Sequence, residues 1–100
     1  MRKKIYNDVY MQDFHLIFLD DLPKGKRPHD CCGWTVSEEG GIFIYLKKGA
    51  TVRELAHEVD HAVSMLFDER GIERQIVDEA YAYMIGWLFK ECYKRIVHLL

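Results

Sequence analysis

The chain changes hydrophobic period near its midpoint. Before residue 50 the apolar residues come in short runs bounded by turn-forming residues, the signature of strands. Phe14-His15-Leu16-Ile17-Phe18-Leu19 is one such run, ending at Asp20-Asp21-Leu22-Pro23-Lys24-Gly25. Trp34-Thr35-Val36-Ser37 is a second. Ile42-Phe43-Ile44-Tyr45-Leu46 is the third and strongest, joined to the second through a hairpin loop, Glu38-Glu39-Gly40-Gly41. Tyr6 to Tyr10 is a weaker candidate for a further short strand, and the basic stretch from Pro23 to His29 reads as a surface loop.

After residue 50 the period becomes helical. Thr51-Val52-Arg53-Glu54 has the S/T-x-x-E form of a capping box. Val52, Leu55, Ala56, Val59, Val63, Leu66 and Phe67 follow at helical spacing, and Gly71 after Arg70 is a C-cap signal. The spacing predicts a first helix from Val52 to Arg70. A second helix is predicted from Ile76 or Asp78 into the mid-nineties, apolar nearly all round over Ala80, Ala82, Met84, Ile85, Trp87, Leu88 and Phe89. Such a helix is central to a core or also meets a partner chain. The expected fold is α+β: a small, mainly antiparallel three-stranded sheet packed on two helices. It forms one domain, with strands over residues 1–48 and helices over 51–70 and 76–97.

Composition narrows the class. One hundred residues have room for a single core. Apolar residues at 49% and charged residues at 30% describe a globular chain, and a net charge of −2 argues against a nucleic-acid partner. Arg70, Arg74, Lys90, Lys94 and Arg95 read as solvated helix charges. The cysteines are Cys31, Cys32 and Cys92, an odd number with two adjacent, which does not make a disulfide framework and fits a reducing compartment. Met1-Arg2-Lys3-Lys4 is not followed by an apolar stretch, and the longest apolar run, Ala80 to Phe89, is too short for a membrane span. The expectation is a cytoplasmic protein without a membrane partner. Ile96-Val97-His98-Leu99-Leu100 makes the C-terminal helix a candidate for homo-oligomer contact, and His15 and His98 read as surface or interface residues.

The chemistry lies in the first helix. His57-Glu58-Val59-Asp60-His61 matches H-E-x-x-H. Residues at i and i+4 share one helix face, so both imidazoles can address one ion. Glu58, turned about 100° from His57, is placed to take a proton from a water polarised by that ion. On a helical wheel the core arc is Leu55, Val59, Ala62, Val63, Leu66 and Phe67. His57 and His61 fall opposite it, with Ser64 and Asp68. A tetrahedral site needs a third protein ligand. Glu79 is the candidate, 18 residues beyond His61 near the start of the second helix. Ala82 one turn later allows the helices to approach. Asp78 competes as ligand, or serves as a cap or as an acceptor for a histidine N–H, a role also open to Asp60 and Asp68. The donor types favour zinc.

His57-Glu58-x-x-His61 followed by Glu79-x-x-Ala82 resembles the gluzincin-type metallopeptidases, and Thr51 to Trp87 is similar to small zincin-like proteins of bacteriophages and prophages. The resemblance implies zinc held by His57, His61 and Glu79, with Glu58 as general base in peptide hydrolysis. It implies an edge strand, here Ile42 to Leu46, that binds an extended peptide. The transition-state donor is open: Tyr83, one turn after Glu79, and Tyr81 are the choices, with plain packing the alternative for each. The chain is far shorter than ordinary gluzincins and lacks a second lobe. The same five residues also resemble the H-E-x-D-H helix of peptide deformylases, but the E-G-C-x-S and G-x-G-x-A-A-x-Q segments of that family are absent. Cys31 or Cys32 is a candidate to occupy the open zinc position in a latent state. Two further readings stay open: a zinc-dependent regulatory or interaction module without turnover, and a metal-free interaction surface.

Overall fold

A computed structural model describes residues 1–22, 32–73 and 78–100. The chain runs β1 (Arg2–Asn7), β2 (Gln12–Leu19), β3 (Gly33–Glu38), β4 (Gly41–Lys47), α1 (Val52–Glu69) and α2 (Asp78–Ile96), with a last 3-10 turn at Val97–Leu99. The predicted Pro23–His29 loop, Cys31, Arg74 and the alternative helix start at Ile76 lie outside the described residues.

The fold is α+β, but among the described residues the sheet has four strands in the order β1-β2-β4-β3 and is mixed. Two antiparallel pairs, β1 with β2 and β3 with β4, flank a parallel pairing of β2 with β4. The expected three-stranded, mainly antiparallel sheet is corrected in both respects. The extra strand begins upstream of the Tyr6–Tyr10 candidate and shares only Tyr6 and Asn7 with it. Only Ile5 and Asn7 of β1 are buried, because an edge strand lies against the core on one face only, so Arg2-Lys3-Lys4 masks its pattern. The residues after Asn7 turn: the Asn7 side-chain carbonyl accepts the Tyr10 N–H at 2.9 Å, and Met11 takes a left-handed φ of 49°. The order also corrects the expected edge. Ile42 to Leu46 belongs to β4, which is central, and β3 is the edge strand on that side. Ile42, Phe43 and Ile44 are consecutively buried, as in a strand covered on both faces.

The helix ends follow from local chemistry. The reciprocal bonds of the capping box are in place at Thr51, whose N–H donates to Glu54 Oε2 at 3.0 Å. The Thr51 hydroxyl also donates to that oxygen. At the other end Gly71, at φ 66°, lets the chain reverse. Ile72 N–H donates to the Phe67 carbonyl at 2.9 Å and Gly71 N–H to that of Asp68 at 3.1 Å, the two bonds of a Schellman motif. α1 packs across β3 and β4, and α2 packs on α1. The core joins Phe14, Leu16, Ile42, Ile44 and Leu46 of the sheet to Leu55, Val59, Val63 and Leu66 of α1 and Met84 and Leu88 of α2. The α1 histidines are left on its exposed side.

Candidate metal centre

One face of α1 carries the chemistry. His57 and His61 are both exposed, opposite the arc that buries Leu55, Val59, Ala62 and Leu66. Their rings stand edge to face with centroids 4.5 Å apart, and the two Nε2 atoms converge to 3.0 Å. In a tetrahedral zinc site, nitrogen ligands at Zn–N of about 2.0–2.1 Å stand about 3.3 Å apart. The separation of the pair is thus within about 0.3 Å of that between two nitrogen ligands of one ion. The two nitrogens stand within hydrogen-bond distance, with donor and acceptor set by the tautomers. Neither ring has a carboxylate partner among the described residues.

Glu58 turns the other way. It is 3% exposed, on the flank of α1 that meets β3. The Thr35 hydroxyl lies 2.6 Å from Glu58 Oε1 and 3.3 Å from the Glu58 carbonyl oxygen. Gly33, two residues earlier on the same strand face, leaves the space that Glu58 fills: a β-carbon there would stand 2.7 Å from Glu58 Cγ. The inward row of β3 is thus Gly33, Thr35 and Ser37, and Ser37 continues it with a hydroxyl bond to Glu69 of α1. This row was not read from the sequence. Its signal is the period-2 pattern Gly-x-Thr-x-Ser with Trp34 and Val36 on the opposite face.

Among the described residues, the structure does not gather the remaining candidates around the histidines. Among the described residues, no group of three His, Cys, Asp or Glu side chains is assembled as a metal cage. Glu79 and Asp78 stand exposed in the first turn of α2. The side chain that α2 sends to α1 from this turn is Tyr81, two positions and about 200° round the helix from Glu79. Tyr81 is buried edge to face against Phe67. Its hydroxyl donates to Asp60 Oδ1 at 2.8 Å, near the Asp60 carbonyl at 3.2 Å. The Asp60 carboxylate is therefore engaged by α2 rather than by an imidazole. Tyr83 is 68% exposed and lines a shallow groove with Ala82, Gly86, Trp87 and Lys90. Cys32 is half-buried at the start of β3.

No family model, curated protein or solved structure matches the chain. Beside His57 lies an open concavity of about 460 Å³, lined among the described residues by Arg53, Glu54, Ala56 and His57. Glu54 is ionised there: the hydroxyl bond from Thr51, then the Thr51 N–H, hold its carboxyl below the usual range. The arrangement offers two converging imidazoles, a carboxylate one residue away in a polar seam, and an edge strand beside that seam. No helix is long and apolar enough to cross a membrane among the described residues.

Proposed function

We propose that this chain is a small zinc-dependent peptidase, with His57 and His61 as ligands, Glu79 as the third, and Glu58 as general base. The observation that carries the reading is the 3.0 Å convergence of the two Nε2 atoms on one exposed face. Zinc, when bound, supplies Lewis-acid polarisation of a carbonyl and acidifies water at neutral pH. The chain's own residues do the rest. β3, with one edge unpaired among the described strands, presents backbone N–H and C=O groups to an extended peptide. Glu58, in the seam between that strand and α1, accepts a proton from the attacking water and passes it to the leaving amine. The exposed first turn of α2 leaves Glu79 free to be recruited when the ion binds. Asp60 and Tyr81 hold α1 and α2 together next to His61, and Tyr83 stands on the same α2 face as Glu79 as a candidate donor. The proposed setting is cytoplasmic, with peptide or protein as substrate and the C-terminal helix as a surface for self-contact.

The test is elemental analysis of wild type, His57→Ala and Glu79→Ala after exposure to zinc, with hydrolysis of fluorescein-labelled casein by wild type and Glu58→Gln. Near-stoichiometric zinc in wild type, strongly reduced in both ligand variants, with casein cleavage lost in Glu58→Gln at full zinc content, is the expected result. A wild-type chain that takes up no zinc overturns the reading. The burial of Glu58 favours a second reading, a zinc-binding interaction module without turnover. Stoichiometric zinc with no casein cleavage would decide for it.

A further inference from the structure

We propose that Thr35 is the positioning residue for Glu58, and that Gly33 makes room for it, so that edge strand β3 both docks the substrate and sets the base. The inference rests on the peptidase reading for its catalytic meaning, but not for its geometry. Three observations converge. A Glu in the first half of an amphipathic helix ordinarily faces solvent, yet Glu58 is buried like the apolar residues around it. A buried carboxylate is retained only with hydrogen-bond partners, and the Thr35 hydroxyl supplies one at 2.6 Å. Finally, the space over Gly33 is filled by Glu58 itself, Cγ and Oε2 both crowding the position a β-carbon would take.

The hydroxyl has one proton and two acceptors within reach, Oε1 and the Glu58 carbonyl oxygen. That carbonyl lies in the interior of α1, where it accepts the helix bond from Ala62. The shorter contact to the carboxylate therefore takes the proton. This fixes Oε1, while Oε2 lies over Gly33, so the side chain is restricted at both oxygens. A general base works only within hydrogen-bond reach of the proton it takes, and its geometry is held by surrounding bonds. Thr35 sits on the strand whose free edge would pair with an extended peptide. The Thr35 hydroxyl bond therefore couples any shift of β3 on docking to the carboxylate.

The experiment compares wild type, Thr35→Ser, Thr35→Val and Thr35→Ala. The Glu58 carboxyl carbon is followed by NMR in metal-free protein, and kcat and KM for fluorescein-casein in zinc-loaded protein. The expected result is that Ser keeps the Glu58 signal in place while Val and Ala both shift it. With Val or Ala, kcat falls roughly tenfold, part of the roughly 10²–10⁴ a placed base supplies, with KM and zinc content unchanged and Ser restoring the rate. Ala covers the case in which Val does not fold. A Glu58 signal that stays put in Val or Ala overturns the proposal, as does a loss of kcat that Ser fails to restore. If the signal follows the hydroxyl but wild type cleaves no casein, the positioning contact stands and the peptidase reading fails.

Discussion

Gly33→Ala tests the seam between β3 and α1 by adding one carbon. The new β-carbon would stand 2.7 Å from Glu58 Cγ and 3.0 Å from both Cδ and Oε2, against about 3.5–4.0 Å for relaxed carbon pairs. The shortfall of roughly 1 Å falls on the middle of the side chain, not on a mobile tip. Glu58 cannot swing aside without breaking the Thr35 bond. Overpacking of this kind costs about 1–3 kcal/mol. Gly33 is not left-handed, so alanine fits its backbone and gains about 0.4–1 kcal/mol through a less flexible unfolded chain. The two ranges combine to a net loss of about 0–2.6 kcal/mol, and the midpoint of about 1.3 kcal/mol lowers Tm by roughly 5–10 °C in a domain of this size. Urea unfolding followed by tryptophan fluorescence measures it. The same substitution made in a Glu58→Ala background should cost less than about 0.5 kcal/mol, since the crowding partner is gone. Equal costs in the two backgrounds would refute the reasoning.

Three other outcomes follow from the same contacts. Thr51→Ala removes the capping bonds and should cost about 0.5–2 kcal/mol near neutral pH. Because the Thr51 bond depresses the Glu54 pKa, its contribution is present above the usual carboxylate range and is lost as pH falls through the lowered value. The gap between wild type and Thr51→Ala in chemical denaturation should therefore narrow on acidification, and a gap that widens contradicts the linkage. Burial pushes the Cys92 thiol up to about 12, so at mildly alkaline pH a thiol reagent should modify Cys92 only as fast as the protein unfolds; rapid labelling of Cys92 in native protein would place it outside the core. Leu66→Ala, at a fully buried site between the sheet and α2, should cost about 2–5 kcal/mol, and a loss below 1 kcal/mol in urea unfolding would mean that this core is not closely packed.

What could be read from the chain beforehand was what is local. α1 was legible from end to end because its cap, its apolar spacing and its terminal glycine are each encoded within a few residues. The convergence of His57 and His61 is likewise an i, i+4 relation. Strand order was not legible, because the β2–β4 pairing joins Phe14 to Ile42 and no short-range pattern specifies it. The consecutive apolar residues at Ile42 to Ile44 did hint at a central strand, but strand strength alone does not tell centre from edge. β1 was hidden by three basic residues on a strand that buries only Ile5 and Asn7. At the candidate site, the environment of Glu58 depends on Gly33 and Thr35, more than twenty residues upstream. The proposed ligand Glu79 was chosen by spacing, while the position facing α1 belongs to Tyr81.

The placement of β4 bears on how the sheet is completed during synthesis. The β1–β2 hairpin can close once Leu19 has been made. β3 then follows with no neighbour, since among the described strands it pairs only with β4. One side of β2 waits for the same strand. The last strand translated is thus the one that enters the middle, and it satisfies two waiting edges in one step. Until it arrives, a nascent chain displays unpaired backbone beside apolar side chains, the condition under which strands join to the wrong neighbour. At about 5–20 residues per second, the interval between the end of β3 and the end of β4 is on the order of a second. The tight Glu38–Gly41 pairing that launches β4 back along β3 keeps that interval short.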